Sequence, residues 1–200
     1  MQGFGAVSLL IAALIWMTVK NPPKVETEDR GSIFDLLKMP QLWPLYALMF
    51  VNYAPAAGLR GLWAGPYLRD VYGADVGLIG QVTFVMGLAM IAASFSYGPL
   101  ERLFRTRKWV VIGGNALSAM SLIILTLVPD PGVWVSAILL AAIGFGGSTF
   151  PLLVAHSKAF FPAHLTGRGV TLVNLFSIGG VGVAQFATAP LHTYGAGMAG

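Results

Sequence analysis

Arg60 is a charged side chain inside a long apolar stretch, residues 41–72, and no acidic residue lies close to it in sequence. A guanidinium in such a place favours a carboxylate or phosphate group, because its planar fork of donors matches two oxygens of the anion. The alternative is that Arg60 extends to the outer interface with water. Gly58, Gly61 and Pro66 predict an irregular helix around it, which favours the binding interpretation.

Other polar side chains in apolar stretches are candidates for the same binding site. Asn52 and Tyr53 lie about two helical turns before Arg60 and are both candidates, although the three residues cannot all share one helix face perfectly. Asn52, eight positions before Arg60, can align with it. Asn174 and Gln185 are eleven positions apart, about three helical turns, and predict one polar stripe. Further candidates are Gln81, Thr83 and Ser177. For any one of them, a hydrogen bond to a neighbouring helix is the alternative role.

The sequence offers little for catalysis. It contains no cysteine, and none of its eight acidic residues lies in the middle of an apolar stretch. His156 could carry a proton, but it is two residues from Lys158, so an ordinary interfacial histidine is the alternative. The glycine-rich stretch 144–151 lacks the lysine of a phosphate loop and is typical of a kinked membrane helix. We therefore expect no enzyme, no cofactor and no metal site.

The elements that must position these residues are membrane helices. A hydrophobic content of 56%, a charged content of 10% and a mean hydropathy of +0.74 are not those of a soluble domain. Because each segment in lipid must satisfy its own backbone hydrogen bonds, we expect an all-α transmembrane bundle of about six spanning helices. The six apolar runs, each about long enough to span a bilayer, are residues 4–20, 41–72, 76–98, 108–128, 132–160 and 168–190.

Basic residues predict the orientation of these spans. If the spans alternate from an outer start, ten of the twelve lysines and arginines fall on one side, and only Arg60 and Arg69 do not. Such asymmetry marks the cytoplasmic side. The net charge of +4 is therefore a topology signal rather than a sign of a nucleic-acid partner. Lys20 and Lys24 follow the first apolar run, which argues against a cleaved signal peptide.

The turn after the third span, residues 98–108, resembles the signature loop of the major facilitator superfamily. That loop has a glycine, a leucine, an acidic residue, an arginine and a basic cluster. The corresponding residues here are Gly98, Leu100, Glu101, Arg102 and Arg105, followed by Arg107 and Lys108. Glu101 stands where aspartate is usual, and Phe104 where a second glycine is usual. A carboxylate here could cap the next helix and pair with arginines, which would latch one conformation; the alternative is a basic turn that only sets topology.

The resemblance implies a place for every segment. Residues 1–20 resemble span six, and residues 21–40 resemble the cytoplasmic central linker with a short surface helix from Ser32 to Lys38. Residues 41–190 resemble spans seven to eleven, and residues 191–200 resemble an outer loop before an absent last span. The turn at residues 161–169 resembles the one between spans ten and eleven. The implied partners are the lipid bilayer, a small-molecule solute and an amino-terminal half, missing here or supplied by another chain.

The function implied is secondary active transport of a small solute, expected to be an organic anion because of Arg60. Such carriers bind solute between two halves and alternate access to it. We expect this activity of a complete transporter in a bacterial inner membrane, not of this chain alone. The alternative is a nonfunctional or regulatory membrane subunit from a truncated or split transporter. A membrane-embedded enzyme is disfavoured, because the spans hold no converging acid, base or metal ligands.

Overall fold

The computed structural model describes residues 2–18 and 31–198, which belong to two compact units. The first unit contains one helix, α1 (Gln2–Thr18), and the second contains all the other elements. Every regular element in these described ranges is helical. Of the linker expected at residues 21–40, residues 21–30 lie outside them.

The second unit begins with the short surface helix expected from the sequence, α2 (Ile33–Leu37). Ser32 caps it: its hydroxyl accepts a hydrogen bond from the backbone N–H of Phe34, and its own N–H donates to Asp35 at 2.7 Å. This reciprocal capping box satisfies donors that a helix start leaves without partners. It explains why so short a helix forms here. A 3-10 turn (Pro40–Leu42) then leads into the bundle.

The next segment, residues 43–72, is a helix interrupted twice, which we call the broken helix. It consists of α3 (Trp43–Asn52), α4 (Ala54–Gly58), a π-helical turn (Leu59–Trp63) and α5 (Ala64–Tyr72). Pro55 lies at the first interruption and cannot donate a backbone hydrogen bond. The irregularity expected around Arg60 is confirmed, because Arg60 lies within the π-helical turn. Such turns widen the helix and are frequent at functional sites.

Five further helices complete the second unit. They are α6 (Val76–Phe104), α7 (Arg107–Leu127), α8 (Val133–Gly147), α9 (Phe150–Ser157) and α10 (Thr166–Met198). Two 3-10 turns, Lys158–Phe160 and Ala163–Leu165, connect α9 to α10. The glycine-rich stretch 144–151 holds the break between α8 and α9, as expected for a kinked membrane helix.

Four helical segments in the described residues are long and apolar enough to cross a membrane: Val76–Phe104, Arg107–Leu127, Val133–Phe160 and Ala163–Pro190. The apolar part of α1, Gly5–Thr18, is shorter, and the broken helix is interrupted. The expected fold class, an all-α membrane helix bundle, is confirmed.

One local expectation differs from the structure. The sequence suggested an outer loop from residue 191, whereas α10 continues to Met198. Pro190 lies inside the helix without ending it. A proline fixes φ near the helical value, so a helix passes through it when the loss of one backbone hydrogen bond is tolerated.

The interior of the second unit has two apolar clusters, one toward each end. The first joins α2 and the start of the broken helix to the adjacent ends of α6, α7, α9 and α10; it includes Leu36, Tyr46, Tyr97, Val110 and Leu165. The second includes Leu68, Met86, Leu140 and Ile143. The segments gathered at the first cluster carry Lys38, Arg102, Arg105, Arg107, Lys108, Lys158 and Arg168. We call this the basic end, and its charge agrees with the expected asymmetry.

Large apolar side chains cover the outside of the bundle. Phe95 is 80% exposed, Phe186 is 83% exposed and Trp134 is 67% exposed. A protein surrounded by water rarely exposes continuous apolar surface of this kind. Lipid removes the cost, so the chain is an integral, multi-pass membrane protein.

Glycines set the closeness of the helices to one another. A Cβ atom added to Gly180 of α10 would overlap the carbonyl oxygen of Phe50 on α3. A Cβ on Gly146 of α8 would overlap the carbonyl oxygen of Gly114 on α7. Small residues at such crossings let backbones approach, which is how membrane helices gain van der Waals contact without a hydrophobic driving force.

Candidate functional site

Asn52 lies at the centre of a buried hydrogen-bond network between the two apolar clusters. Its side-chain oxygen accepts hydrogen bonds from Asn115 Nδ2 at 2.8 Å and from Thr149 Oγ1 at 2.9 Å. Its amide nitrogen approaches the carbonyl oxygen of Gly147 at 3.5 Å. Asn52 is only 3% exposed. Its amide therefore joins the broken helix to α7 and to the α8–α9 break, which is the interhelical role that the sequence also allowed.

A cavity of about 290 Å³ lies beside the π-helical turn, and we call it the polar pocket. Its lining comes from the broken helix and α6: Tyr53, Ala57, Arg60, Gly61, Thr83 and Met90. The hydroxyl of Thr83 donates to the carbonyl oxygen of Ile79 at 2.8 Å, so its oxygen can still accept a hydrogen bond. The structure thus brings together three of the predicted candidates, Arg60, Tyr53 and Thr83.

The Arg60 guanidinium crosses the polar pocket to the opposite helix. A Cβ atom built on Gly87 of α6 would lie 3.3 Å from Nη2 of Arg60 and 3.6 Å from its Cζ. A methyl group at this position would require the guanidinium to shift by a few tenths of an ångström, so Gly87 allows its close approach to α6. The side-chain nitrogen of Gln185, from α10, would lie 3.3 Å from a Cβ on Gly61. Gln185 is therefore close to Gly61, but it lines a different cavity, together with Trp63 and Thr188, and not the polar pocket.

A second cavity, of about 360 Å³, adjoins the polar pocket, and we call it the serine pocket. It shares Tyr53 and Met90 with the polar pocket, so the two cavities are adjacent. Its other lining residues come from α6, α9, α10 and the break between α8 and α9, and they are Ile91, Ser94, Ser148, Phe150, Pro151, Ser177 and Ile178. The rings of Tyr53 and Phe150 lie 6.0 Å apart between centroids. Together the two cavities form a groove with one cationic side chain and a largely apolar floor.

The other predicted site residues lie around this groove. Gln81 is exposed on α6, two residues before Thr83, and lines neither pocket. Asn174 is half-buried, three residues before Ser177 on α10, and also lines neither. Sequence reasoning missed Asn115, Thr149, Ser94 and Ser148. The signal that could have found them is the one used for the others, a polar residue within an apolar stretch.

The turn between α6 and α7 contains the expected motif. Glu101 forms an ion pair with the side chain of Arg107, the first residue of α7. Leu100 packs on the apolar cluster at the basic end, while Arg102 and Arg105 are exposed and Gly98 faces open space. The carboxylate is thus bound by an arginine of the next helix, and the ion pair links the two helices at the turn.

Comparison with protein families identifies the superfamily of the chain. The family model described as Major Facilitator Superfamily matches residues 2–184, most of the chain. The chain belongs to the major facilitator superfamily. No curated protein and no solved structure gave a significant match. Members of the major facilitator superfamily are membrane transporters rather than enzymes. Within the described residues, no group of three histidine or acidic side chains could hold a metal ion.

The turn between α6 and α7 differs in one respect from the match of its residues to the signature loop. Phe104 was matched to the usual second glycine, but Phe104 is helical and ends α6. The left-handed backbone conformation occurs one residue later, at Arg105, with φ of 54°. Glycine adopts this conformation without steric cost, whereas a residue with a Cβ atom adopts it only at a steric cost. Arg105 therefore stands at the position where the fold of this turn favours glycine.

Replacing Arg105 with glycine is therefore expected to raise the free energy of unfolding by about 1 kcal/mol, because the left-handed strain disappears. The measurement is thermal unfolding of the purified chain in detergent, followed by circular dichroism. The control is Arg102→Gly on the last helical turn of α6, which is expected to lower stability by up to about 1 kcal/mol. If Arg105→Gly and Arg102→Gly destabilised the protein equally, the left-handed backbone conformation assigned to Arg105 would be contradicted.

Proposed function

We propose that the protein, as part of a complete transporter, carries a small organic anion across the membrane by secondary active transport with alternating access. The observation that carries this proposal is the Arg60 guanidinium in the polar pocket, together with the membership of a transporter superfamily. No acidic residue among those described forms an ion pair with Arg60. A carboxylate of the solute would supply the missing negative charge.

The energetic argument follows from where Arg60 lies. A charged residue within a membrane helix is costly, so it is retained where it faces a cavity and meets a partner. A guanidinium and a carboxylate form two parallel charge-assisted hydrogen bonds, which are stronger than neutral ones. Thr83 and Tyr53 can add neutral hydrogen bonds from the pocket wall. These groups favour a carboxylate over an uncharged solute of the same shape.

Alternating access would use the groove as one wall of the solute site. In this superfamily, two half-bundles enclose the site and rock about it. We propose that a second half-bundle faces the groove and that the Glu101–Arg107 pair holds the α6–α7 turn in one of the conformations. The gathering of positive charge at the basic end supports its assignment to the cytoplasmic side of a bacterial inner membrane.

The test is binding of benzoate to the purified chain in lipid nanodiscs, measured by isothermal titration. Benzamide has the same shape without the charge, and it is expected to bind at least tenfold more weakly. Substituting Arg60→Gln is expected to weaken benzoate binding by about 10- to 100-fold, the effect of losing a charge-assisted pair. Phenyl phosphate tests the other anion that a guanidinium accepts.

The matched control is Arg69→Gln. Arg69 is also an exposed arginine of the broken helix, but it lies near the end of α5 and lines neither pocket. It is expected to leave benzoate binding unchanged. Equal affinity for benzoate and benzamide, or equal losses for the two arginine variants, would refute the anion site.

A further inference from the structure

The serine pocket contains a buried polar group without a partner. Ser177 is 1% exposed, and its hydroxyl oxygen has no hydrogen-bond partner within the described part of the chain. Serine in a helix commonly satisfies its hydroxyl on a backbone carbonyl of the preceding turn, as Ser94 and Ser148 do here. Burying a hydroxyl without a hydrogen-bond partner costs free energy. A ligand atom that formed a hydrogen bond with Ser177 would remove this cost.

Ser177 lies on the wall of the serine pocket, which is adjacent to the polar pocket, so one bound molecule that extends through both could contact Arg60 and Ser177. Both pockets lie along α6. The Arg60 guanidinium lies against Gly87 of this helix, and Ser94, two helical turns further on, lies in the serine pocket.

The side chains between the two pockets are mainly apolar or aromatic. The ring of Tyr53 and the side chain of Met90 belong to both pockets, and Phe150 packs beside Tyr53. A flat aromatic ring suits this region, because aromatic pairs and sulfur–aromatic contacts add to the apolar burial. A solute that is polar in its middle would lose hydrogen bonds to water there without replacement.

We infer that the solute is an aryl carboxylate with a hydrogen-bonding group at the end opposite the carboxylate, which Ser177 binds. This inference rests on the proposed function, because it assigns the carboxylate to Arg60. It adds the aromatic middle of the solute and its second polar end. Ser177 is the residue that distinguishes solutes with the distal group from those without it.

The test uses 4-hydroxycinnamate and cinnamate, which differ only in the hydroxyl opposite the carboxylate-bearing chain. Binding of each to the purified chain in nanodiscs is measured by isothermal titration. We expect 4-hydroxycinnamate to bind about five- to tenfold more tightly, as one additional hydrogen bond in a buried site provides. In the Ser177→Ala variant this difference is expected to disappear, while the affinity for cinnamate stays unchanged and shows that the variant is folded.

Ser148→Ala is the matched control, since Ser148 lines the same pocket but already donates to the carbonyl oxygen of Gly144. It should retain the preference for 4-hydroxycinnamate. If both compounds bind equally and both depend on Arg60, the role of Ser177 is wrong and the anion site remains. If neither compound binds, or if Arg60→Gln leaves the affinity for both compounds unchanged, the proposed function fails as well. If Ser148→Ala removes the preference as fully as Ser177→Ala, the assignment to Ser177 is overturned.

Discussion

Gly180→Ala is expected to lower the free energy of unfolding by at least about 2 kcal/mol, because the new methyl group meets backbone rather than a movable side chain. The carbonyl oxygen of Phe50 occupies the position where this Cβ would lie. Relief requires α10 to move away from the broken helix, which opens the contact between two long helices. The measurement is unfolding of the purified chain in mixed micelles by titration with a denaturing detergent.

Gly179→Ala provides a control on the same turn of the same helix. No atom lies within 4 Å of a Cβ built on Gly179. Alanine has the higher helix propensity, so this variant is expected to gain up to about 1 kcal/mol in stability. Two adjacent glycines should therefore give effects of opposite sign. A gain in stability from Gly180→Ala would mean that α10 does not pack on the Phe50 backbone as described.

Asn52→Leu is expected to destabilise the fold by about 2 kcal/mol, although leucine matches the size and apolar surroundings of the site. The loss comes from the partners that Asn52 leaves behind. Thr149 is fully buried and donates its hydroxyl to Asn52, so the substitution leaves that donor without its acceptor. Asn115 keeps its bond to the carbonyl oxygen of Val111 and loses less. The expected value is large for a membrane protein, where single interhelical hydrogen bonds average about 0.6 kcal/mol.

A double-mutant cycle separates this hydrogen bond from the effect of packing. Thr149→Val removes the donor while keeping the shape, and it is expected to cost about 1 kcal/mol. In the Asn52→Leu, Thr149→Val double variant, the loss should be smaller than the sum of the single losses, since no donor remains unsatisfied. Strict additivity would show that Asn52 and Thr149 do not interact.

The same variant also bears on the solute site. Asn52 was a candidate for solute contact, and the structure gives its amide three protein contacts instead. If Asn52 acts only through the fold, Asn52→Leu should leave the ratio of benzoate to benzamide affinity unchanged in the folded protein. A change in that ratio would return Asn52 to the solute site.

The sequence alone was sufficient for the features that depend on the solvent. Runs of apolar residues and the distribution of lysine and arginine reflect the cost of placing polar groups in lipid, and this cost is paid residue by residue. For that reason the helical fold class could be predicted without knowing any contact. The irregular helix at Arg60 was predicted from Gly58, Gly61 and Pro66, and the superfamily from the resemblance of residues 98–108 to its signature loop. The numbering of the helices as spans six to eleven stays a prediction.

Only the tertiary structure decided which polar residues meet. Asn52 and Arg60 were equivalent candidates in the sequence, yet one is buried in hydrogen bonds to α7 and the α8–α9 break and the other faces a cavity. The partner of Glu101 and the left-handed backbone at Arg105 were likewise decided by the geometry of one turn. Hydrogen bonds and close contacts depend on positions and directions to within about an ångström, and helix packing sets these through pairs such as Phe50 and Gly180, far apart in the chain. Helical periodicity predicts the helix face on which a side chain lies, but it does not predict which residue of another helix packs against that side chain.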